Sequence, residues 1–316
     1  MRVTVAICTW NRCELLRQAL EQMKQLRIAA GTEWELVVVN NRCTDATDEV
    51  IASGTGALPV RRVYEPEIGL SHARNAAVRA ATGQYILWTD DDTLVDPEWL
   101  AAYVEAFHRW PGAVAFGGPV RPWFLAPPPP WIESGWSQIA DAFATRDLGS
   151  QPHRFGGGSD LPYGANYAVR LAEQRRYFYD PRLGQKGGTV NLGEETKLVK
   201  DLMAAGFEAW WVPAAVVRHC IPATRMTTGY LRRYYFASGW LSAHNATGDD
   251  GPAIFGRPRW VWKRAVVCGA KYLFGRWLSP PEVWLENLVG ASKAWGYLWH
   301  GRSRILSAGG RVGPGR

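Results

Sequence analysis

No run of about eighteen uncharged apolar residues occurs in this chain, so no segment reads as a membrane-spanning helix. The opening Met1-Arg2-Val3-Thr4-Val5 passes straight into a strand pattern and lacks the apolar core of a signal peptide, so a cytoplasmic protein is expected. Cysteine is scarce, odd in number and scattered (Cys8, Cys13, Cys43, Cys220, Cys268), and no CxxC pair occurs. Reduced thiols are expected, which excludes a disulfide frame and a zinc site built on cysteine pairs. The tail is poor in acid. Between Met226 and Arg316 thirteen lysines and arginines face four carboxylates, a net of +9, so residues 1–225 carry −2 of the overall +7. A near-neutral body with a basic, tryptophan-rich tail is unlike a chain basic throughout, and nucleic-acid binding is not expected.

What is present is enough for a sizeable core. The 316 residues are 47 % apolar, which suits one large or two modest domains. Val3 to Cys8 and Glu35 to Val39 are compact apolar strands, and residues 59–64 form a third. Leu15, Leu16, Ala19, Leu20 and Met23 recur at helical spacing, a short helix is expected near 46–52, and another opens at Gly69 and stops at Gly83. Strand and helix alternate over short connections, the pattern of a doubly wound, mainly parallel sheet. Polar residues fall at the strand ends, where such sheets bind ligands.

The run Gln84-Tyr-Ile-Leu-Trp-Thr-Asp90-Asp91-Asp92 ends a predicted strand in three carboxylates. Adjacent negative charges are held together most easily around a cation. If the strand continues that far, Asp90 and Asp92 point to one side and Asp91 to the other, and two oxygen ligands suit a hard divalent ion that also takes phosphate oxygens. An acidic turn before a helix, with Asp96 as N-cap and Pro97 at the first helical position, is the plainer alternative. Further on, residues 209–212 and 214–217 read as strands, the second ending at Arg218-His219. A lone histidine there is either a ligand or a hydrogen-bonded structural residue. The prolines at 127–130 with Trp131 and Trp136 make either a linker or a rigid surface loop.

Taken together, Cys8-Thr9-Trp10-Asn11-Arg12, Asn40 to Thr47, Gly69 to Asn75, Thr89 to Asp92, Gly164-Ala165-Asn166 and Gly193-Glu194-Glu195-Thr196 resemble, in order, the motifs of family 2 glycosyltransferases. The resemblance covers residues 1 to about 220. It implies an α/β GT-A fold and an inverting transfer of sugar from a nucleotide-diphosphate donor to a glycan or lipid-linked acceptor. It also implies roles. Asp92 and His219 would bind Mn²⁺ or Mg²⁺, with Asp90 near the ribose and Asp91 assisting either task. Thr9, Asn11, Arg12, Asn40 and Arg74 would hold the donor, and Glu195 would be the base. Gly164-Ala165-Asn166 would line the acceptor side. The family commonly has Asp where this chain has Asn40 and Glu195. Asn40 leaves the base open, with UDP first and GDP or dTDP behind it.

The expected organisation is a catalytic domain over 1–225, a helical region over 226–308 and a disordered end over 309–316. Residues 227–243, 260–278 and 282–299 read as helices. Lys263, Arg264 and Lys271 cluster on the second beside apolar residues, which suits a peripheral contact with the inner face of the membrane or, as plainly, a helical subdomain packed on the body. A nucleotidyltransferase is the nearest enzymatic alternative, but it needs a phosphate-binding Gly/Lys loop after the first strand, and residues 8–12 are not one. A non-catalytic glycan- or membrane-binding protein on the same fold is the other.

Overall fold

The computed structural model describes residues 1–157, 160–183, 193–246 and 252–300. The expected disordered end, 309–316, lies outside the described residues. The first stretch contains β1 (Arg2–Thr9), α1 (Cys13–Met23), β2 (Glu33–Asn40), α2 (Thr47–Gly54), β3 (Val60–Tyr64), α3 (Leu70–Ala80), β4 (Tyr85–Asp90), β5 (Thr93–Val95) and α4 (Trp99–Arg109). Next come β6 (Ala113–Gly117), β7 (Val120–Phe124), α5 (Pro130–Ser134), α6 (Trp136–Ile139), β8 (His153–Arg154), β9 (Tyr167–Arg170), α7 (Leu171–Gln174) and α8 (Glu194–Ala204). The chain then runs through β10 (Glu208–Trp211), β11 (Val217–Ile221), α9 (Thr228–Asn245), β12 (Ala253–Ile254), β13 (Arg257–Pro258), α10 (Arg259–Gly275) and α11 (Pro281–Trp299).

Buried on both faces, β1 sorts its side chains between two layers. Val3, Val5 and Ile7 pack with Leu16, Leu20 and Met23 of α1 and with Trp99, Tyr103 and Phe107 of α4. Ala6 turns to the other face, where Ala73 and Ala77 of α3 and Leu198 and Leu202 of α8 lie. Each large apolar side chain so buried contributes about 1.5–3 kcal/mol. The main sheet runs β3-β2-β1-β4-β9-β6-β10-β8. β1 pairs in parallel with both β2 and β4, β2 with β3, and β6 with β10. β9 is antiparallel to β4 and β6. The expected doubly wound, mainly parallel sheet is therefore present. The chain winds outward from β1 to β3 and returns to β4 on the other side of β1, so the crevice opens at the carboxyl ends of β1 and β4.

A second sheet, β5-β11-β7, differs from expectation. Residues 214–216 form a turn, with Ala215 N–H bonded to Val212 O and Val216 N–H to Ala214 O, so the strand begins at Val217 and His219 lies inside it. Helix α4 likewise starts at Trp99, after a turn in which Asp96 Oδ1 accepts from Glu98 N–H at 3.0 Å.

Two compact units form. The first comprises Met1–Leu125 and Phe143–Ile221, the second Ala126–Ala142 and the chain from Pro222 onward. Residues 126–142, read as a linker or surface loop, thus fold as α5 and α6 with the C-terminal helices. In that second unit α9 and α11 touch backbone to backbone. A Cβ on Gly239 would come within 1.9 Å of Lys293 O, and one on Gly296 within 1.9 Å of Phe236 O.

Far from the crevice, at the start of β2, Glu35 is buried and accepts from Thr4 Oγ1 at 2.6 Å, Thr82 N–H at 2.6 Å and Arg61 Nη2 at 2.8 Å. Burial pushes its carboxyl up, but the bonds from Thr4, Arg61 and Thr82 outweigh it and bring it down to about 2. A depressed carboxyl stabilises the fold above its ordinary value of 4.5 and ceases to do so as pH falls towards about 2, a contribution on the order of 3 kcal/mol. In urea unfolding of wild type and Glu35→Gln, wild type should be the more stable at pH 6, with the gap closing as pH falls below 4.5.

Candidate active site

Parallel register brings the strand ends together. Thr9 stands opposite Asn40, and Cys8 opposite Asp90. The loops leaving β1 and β2 are tied to each other: Asn11, in a left-handed conformation at φ 52°, accepts from Thr44 N–H at 2.7 Å, and Asp45 accepts from Cys13 N–H at 2.9 Å. Asn40 is buried. Its carbonyl accepts from Cys43 N–H at 2.7 Å and its amide donates to Asp48 at 2.6 Å, leaving one amide hydrogen to offer.

β4 ends at Asp90 and the chain turns at Asp91-Asp92, so the expected alternation does not extend through the triplet. Instead Asp91 and Asp92 share one cation. Arg12 Nη1 reaches Asp91 Oδ1 at 3.0 Å and Asp92 Oδ2 at 3.1 Å, and Thr9 Oγ1 donates to Asp91 Oδ2 at 2.8 Å. Burial pushes the Asp91 carboxyl up; Arg12 pulls it down, Asp92 adds to the rise and Thr9 opposes it. Asp91, followed by Asp92, in turn holds Arg12 protonated against its own burial.

On its other side Asp92 meets His219, with Oδ1 at 3.5 Å from Nε2. His219 Nδ1 lies 3.1 Å from Phe143 O. A carbonyl only accepts, so Nδ1 donates and carries hydrogen. The imidazole is thereby fixed with Nε2 aimed at the Asp92 carboxylate, so two lone-pair donors converge.

Arg74 of α3 organises the far wall. It is 2 % exposed, neither a solvated arginine nor one reaching into open crevice. Nη1 donates to Glu194 Oε1 at 2.9 Å and lies 4.0 Å from Glu195 Oε2, while Nη2 lies 3.8 Å from Asp90 Oδ1. Trp88, Tyr167 and Tyr179 surround the guanidinium at 5.5–5.8 Å. The fit extends to Gly164, where a Cβ would come within 2.6 Å of Nη2. Burial, joined by the charge of Glu195, pushes the Glu194 carboxyl well above its ordinary range against the pull of Arg74. Glu195, one residue further along α8, keeps 16 % of its side chain exposed against 6 % for Glu194.

Asn166 is enclosed. Its oxygen accepts from Trp99 Nε1 and Tyr103 Oη, and its amide donates to Pro119 O and Ala215 O. Fully bonded and fully buried, it supports the wall from behind and cannot touch an acceptor, contrary to the role expected of it.

Among the described residues no group of three or more His, Cys, Asp or Glu is placed to hold a metal. The donors available are Asp92 and His219. Two protein ligands fit a divalent ion whose remaining positions go to phosphate oxygens and water. Five carboxyls (Asp90, Asp91, Asp92, Glu194, Glu195) stand against the guanidinium groups of Arg12 and Arg74, and a cation beside them would favour the ionised forms that burial disfavours.

The model of the glycosyl transferase family 2 matches residues 4–158. The chain carries a family 2 glycosyltransferase domain. The succinoglycan biosynthesis protein ExoM of Rhizobium meliloti is 25 % identical over 243 residues, 76 % of this chain and 73 % of that protein. The glucosyl-dolichyl phosphate glucuronosyltransferase of Haloferax volcanii is 27 % identical over 139 residues, 41 % of each chain. The fold of this family 2 chain resembles that of a Pyrobaculum calidifontis mannosyltransferase solved with GDP-Man and Mn²⁺, with a TM-score of 0.62 at 20 % identity over 94 % of this chain and 87 % of that one. It also resembles Staphylococcus aureus TarS 1–349 solved with UDP-GlcNAc, with a TM-score of 0.54 at 12 % identity over 97 % of this chain and 92 % of that one. Within the family 2 domain and its extension to Ile221, all ten residues singled out from sequence lie in one unit. Thr9, Arg12, Asp91, Asp92 and His219 are linked through the contacts above, Arg74, Asp90 and Glu195 form the other wall, and Asn11 and Asn40 brace the loops. Glu194 and Phe143 O, which complete the arrangement, carry no signal in sequence beyond their neighbours.

Proposed function

We propose that this chain transfers a sugar, with inversion, from a nucleotide-diphosphate donor to a glycan or lipid-linked acceptor. Supporting this most is the pairing of Asp92 with His219, whose tautomer is fixed by Phe143 O so that two lone-pair donors face one another. Mn²⁺ or Mg²⁺ held there would stabilise the charge that grows on the departing diphosphate. Arg12 adds a second positive group on the other oxygen of Asp92, while Thr9 orients Asp91. Asn11 and Asn40 keep the β1 and β2 loops in the shape that receives the nucleoside, and Asp90 stands near the ribose. Glu195 accepts the proton of the acceptor hydroxyl as its oxygen attacks the anomeric carbon opposite the diphosphate, whose bond to that carbon breaks in the same step. Glu195 is the more accessible of the two neighbouring carboxylates, and Glu194 is already bound to Arg74.

UDP is the first donor nucleotide to test, with GDP and dTDP beside it. Thermal unfolding of the chain should shift upward with one of them only when Mn²⁺ or Mg²⁺ is added, and Asp92→Ala should lose the metal-dependent part of the shift. A shift indifferent to metal, or one that persists in Asp92→Ala, overturns the assignment of Asp92. No shift with any nucleotide favours a binding protein without transfer activity.

A further inference from the structure

Outside the crevice, α10 uses only part of its surface. Val261 and Ala265 pack with Ala294 and Leu298 of α11. On the opposite side Val266 and Val267 are exposed, and the apolar character increases towards the turn before α11. There Leu273 is 63 % exposed, Phe274 76 %, Trp277 77 % and Leu278 89 %. Four large apolar side chains in six residues, held out at the end of a helix, are costly in water and suited to an apolar medium. Along α10 and the turn itself the charge has one sign, the first acid being Glu282 at the start of α11. From Pro252 to Pro281 the chain carries Arg257, Arg259, Lys263, Arg264, Lys271 and Arg276 and no carboxylate. Lys263, Arg264 and Lys271 are exposed on the same outward arc of α10 as Val267 and Phe274.

We propose that this arc and the α10–α11 turn dock on an anionic lipid bilayer, Phe274, Trp277 and Leu278 entering the acyl boundary while Lys263, Arg264, Lys271 and Arg276 meet headgroup phosphates. Basic residues beside a protruding apolar tip complement a surface that is negative at its rim and apolar beneath it. A second copy of the chain would bring the same cations to the same place and be repelled. No helix among the described residues is long and apolar enough to cross a membrane.

Cosedimentation of the full chain with vesicles tests this. Wild type should pellet with vesicles of equal parts phosphatidylglycerol and phosphatidylcholine and stay in the supernatant with phosphatidylcholine alone. Phe274→Ser/Trp277→Ser/Leu278→Ser and, separately, Lys263→Glu/Lys271→Glu should each weaken binding to the anionic vesicles by at least about tenfold. Circular dichroism and any nucleotide-dependent thermal shift should match wild type in both variants, which separates failure of this docking from failure of the donor site. Wild type that ignores anionic vesicles, triple-serine protein that binds them as before, or a wild-type dimer that the triple-serine variant dissolves would each overturn the proposal.

Discussion

Replacing Glu195 with glutamine should slow sugar transfer by about 10²–10⁴-fold with little change in donor affinity. Glutamine keeps the shape of the side chain in the first turn of α8 but cannot take a proton, so the loss should appear in kcat. Glu194→Gln is the informative companion. Glu194 is buried and bonded to Arg74, so its replacement should act on stability and on the placing of α8. Initial rates of nucleotide diphosphate release with acceptor present, and the anomeric configuration of the product by NMR, read both proposals. Transfer at the wild-type rate by Glu195→Gln, or a retained configuration, would rule out direct displacement with Glu195 as base.

Arg74→Ala should be the most damaging substitution for the fold of the first unit, costing about 3–5 kcal/mol. Arg74 is the cation against which Glu194, Asp90 and Glu195 are gathered, and it is enclosed by three aromatic rings. Removing it leaves buried carboxyls without a partner as well as a cavity. The loss should depend on pH with a definite sign. The Glu194 carboxyl is already raised in the folded chain, and without Arg74 it rises further. In folded wild type that carboxyl stays protonated up to about 8, with or without Arg74, so the Glu194 part of the penalty is absent below that value and appears only as pH rises past it. Urea unfolding of Arg74→Ala against wild type at about pH 6 and about pH 9.5, one on each side of the folded Glu194 value of about 8, should show the larger gap at the higher pH, and adding Glu194→Gln should recover part of it. A gap independent of pH would mean that the cavity, not the charge, dominates.

The fold was readable because β1, β2 and β4 are compact apolar runs, buried on both faces with residues divided between the two helical layers, and because polar residues interrupt the pattern at each carboxyl end. The site was readable as a set of residues, less so as an arrangement. Periodicity assigns a side chain to a face only while the strand lasts, and β4 stops at Asp90, so it could not tell that Asp91 and Asp92 turn together onto Arg12. Arg74 has the helical position of many solvated arginines, and only the packing of α8, Tyr167 and Tyr179 around it reveals burial. Asn166 looks exposed by composition, yet its four hydrogen bonds join residues from 99 to 215, a relation no local pattern contains. His219 was placed at a strand end because residues 214–216 are apolar; the turn at Ala215 starts the strand later.

That placement has a consequence for how the chain can vary. Thr93 is the ladder partner of His219, and Cys220 N–H bonds to Asp92 O at 2.8 Å, so the approach of imidazole to carboxylate is inherited from the pairing of β5 with β11. Distances set in this way change in whole residues. A single insertion or deletion inside either short strand would replace His219 with Arg218 or Cys220 on the working face, whereas the long connection between β5 and β11 can change length without moving it. The separation of the two donors is thus a counted quantity, kept by backbone pairing and insensitive to the lengths of the loops around it.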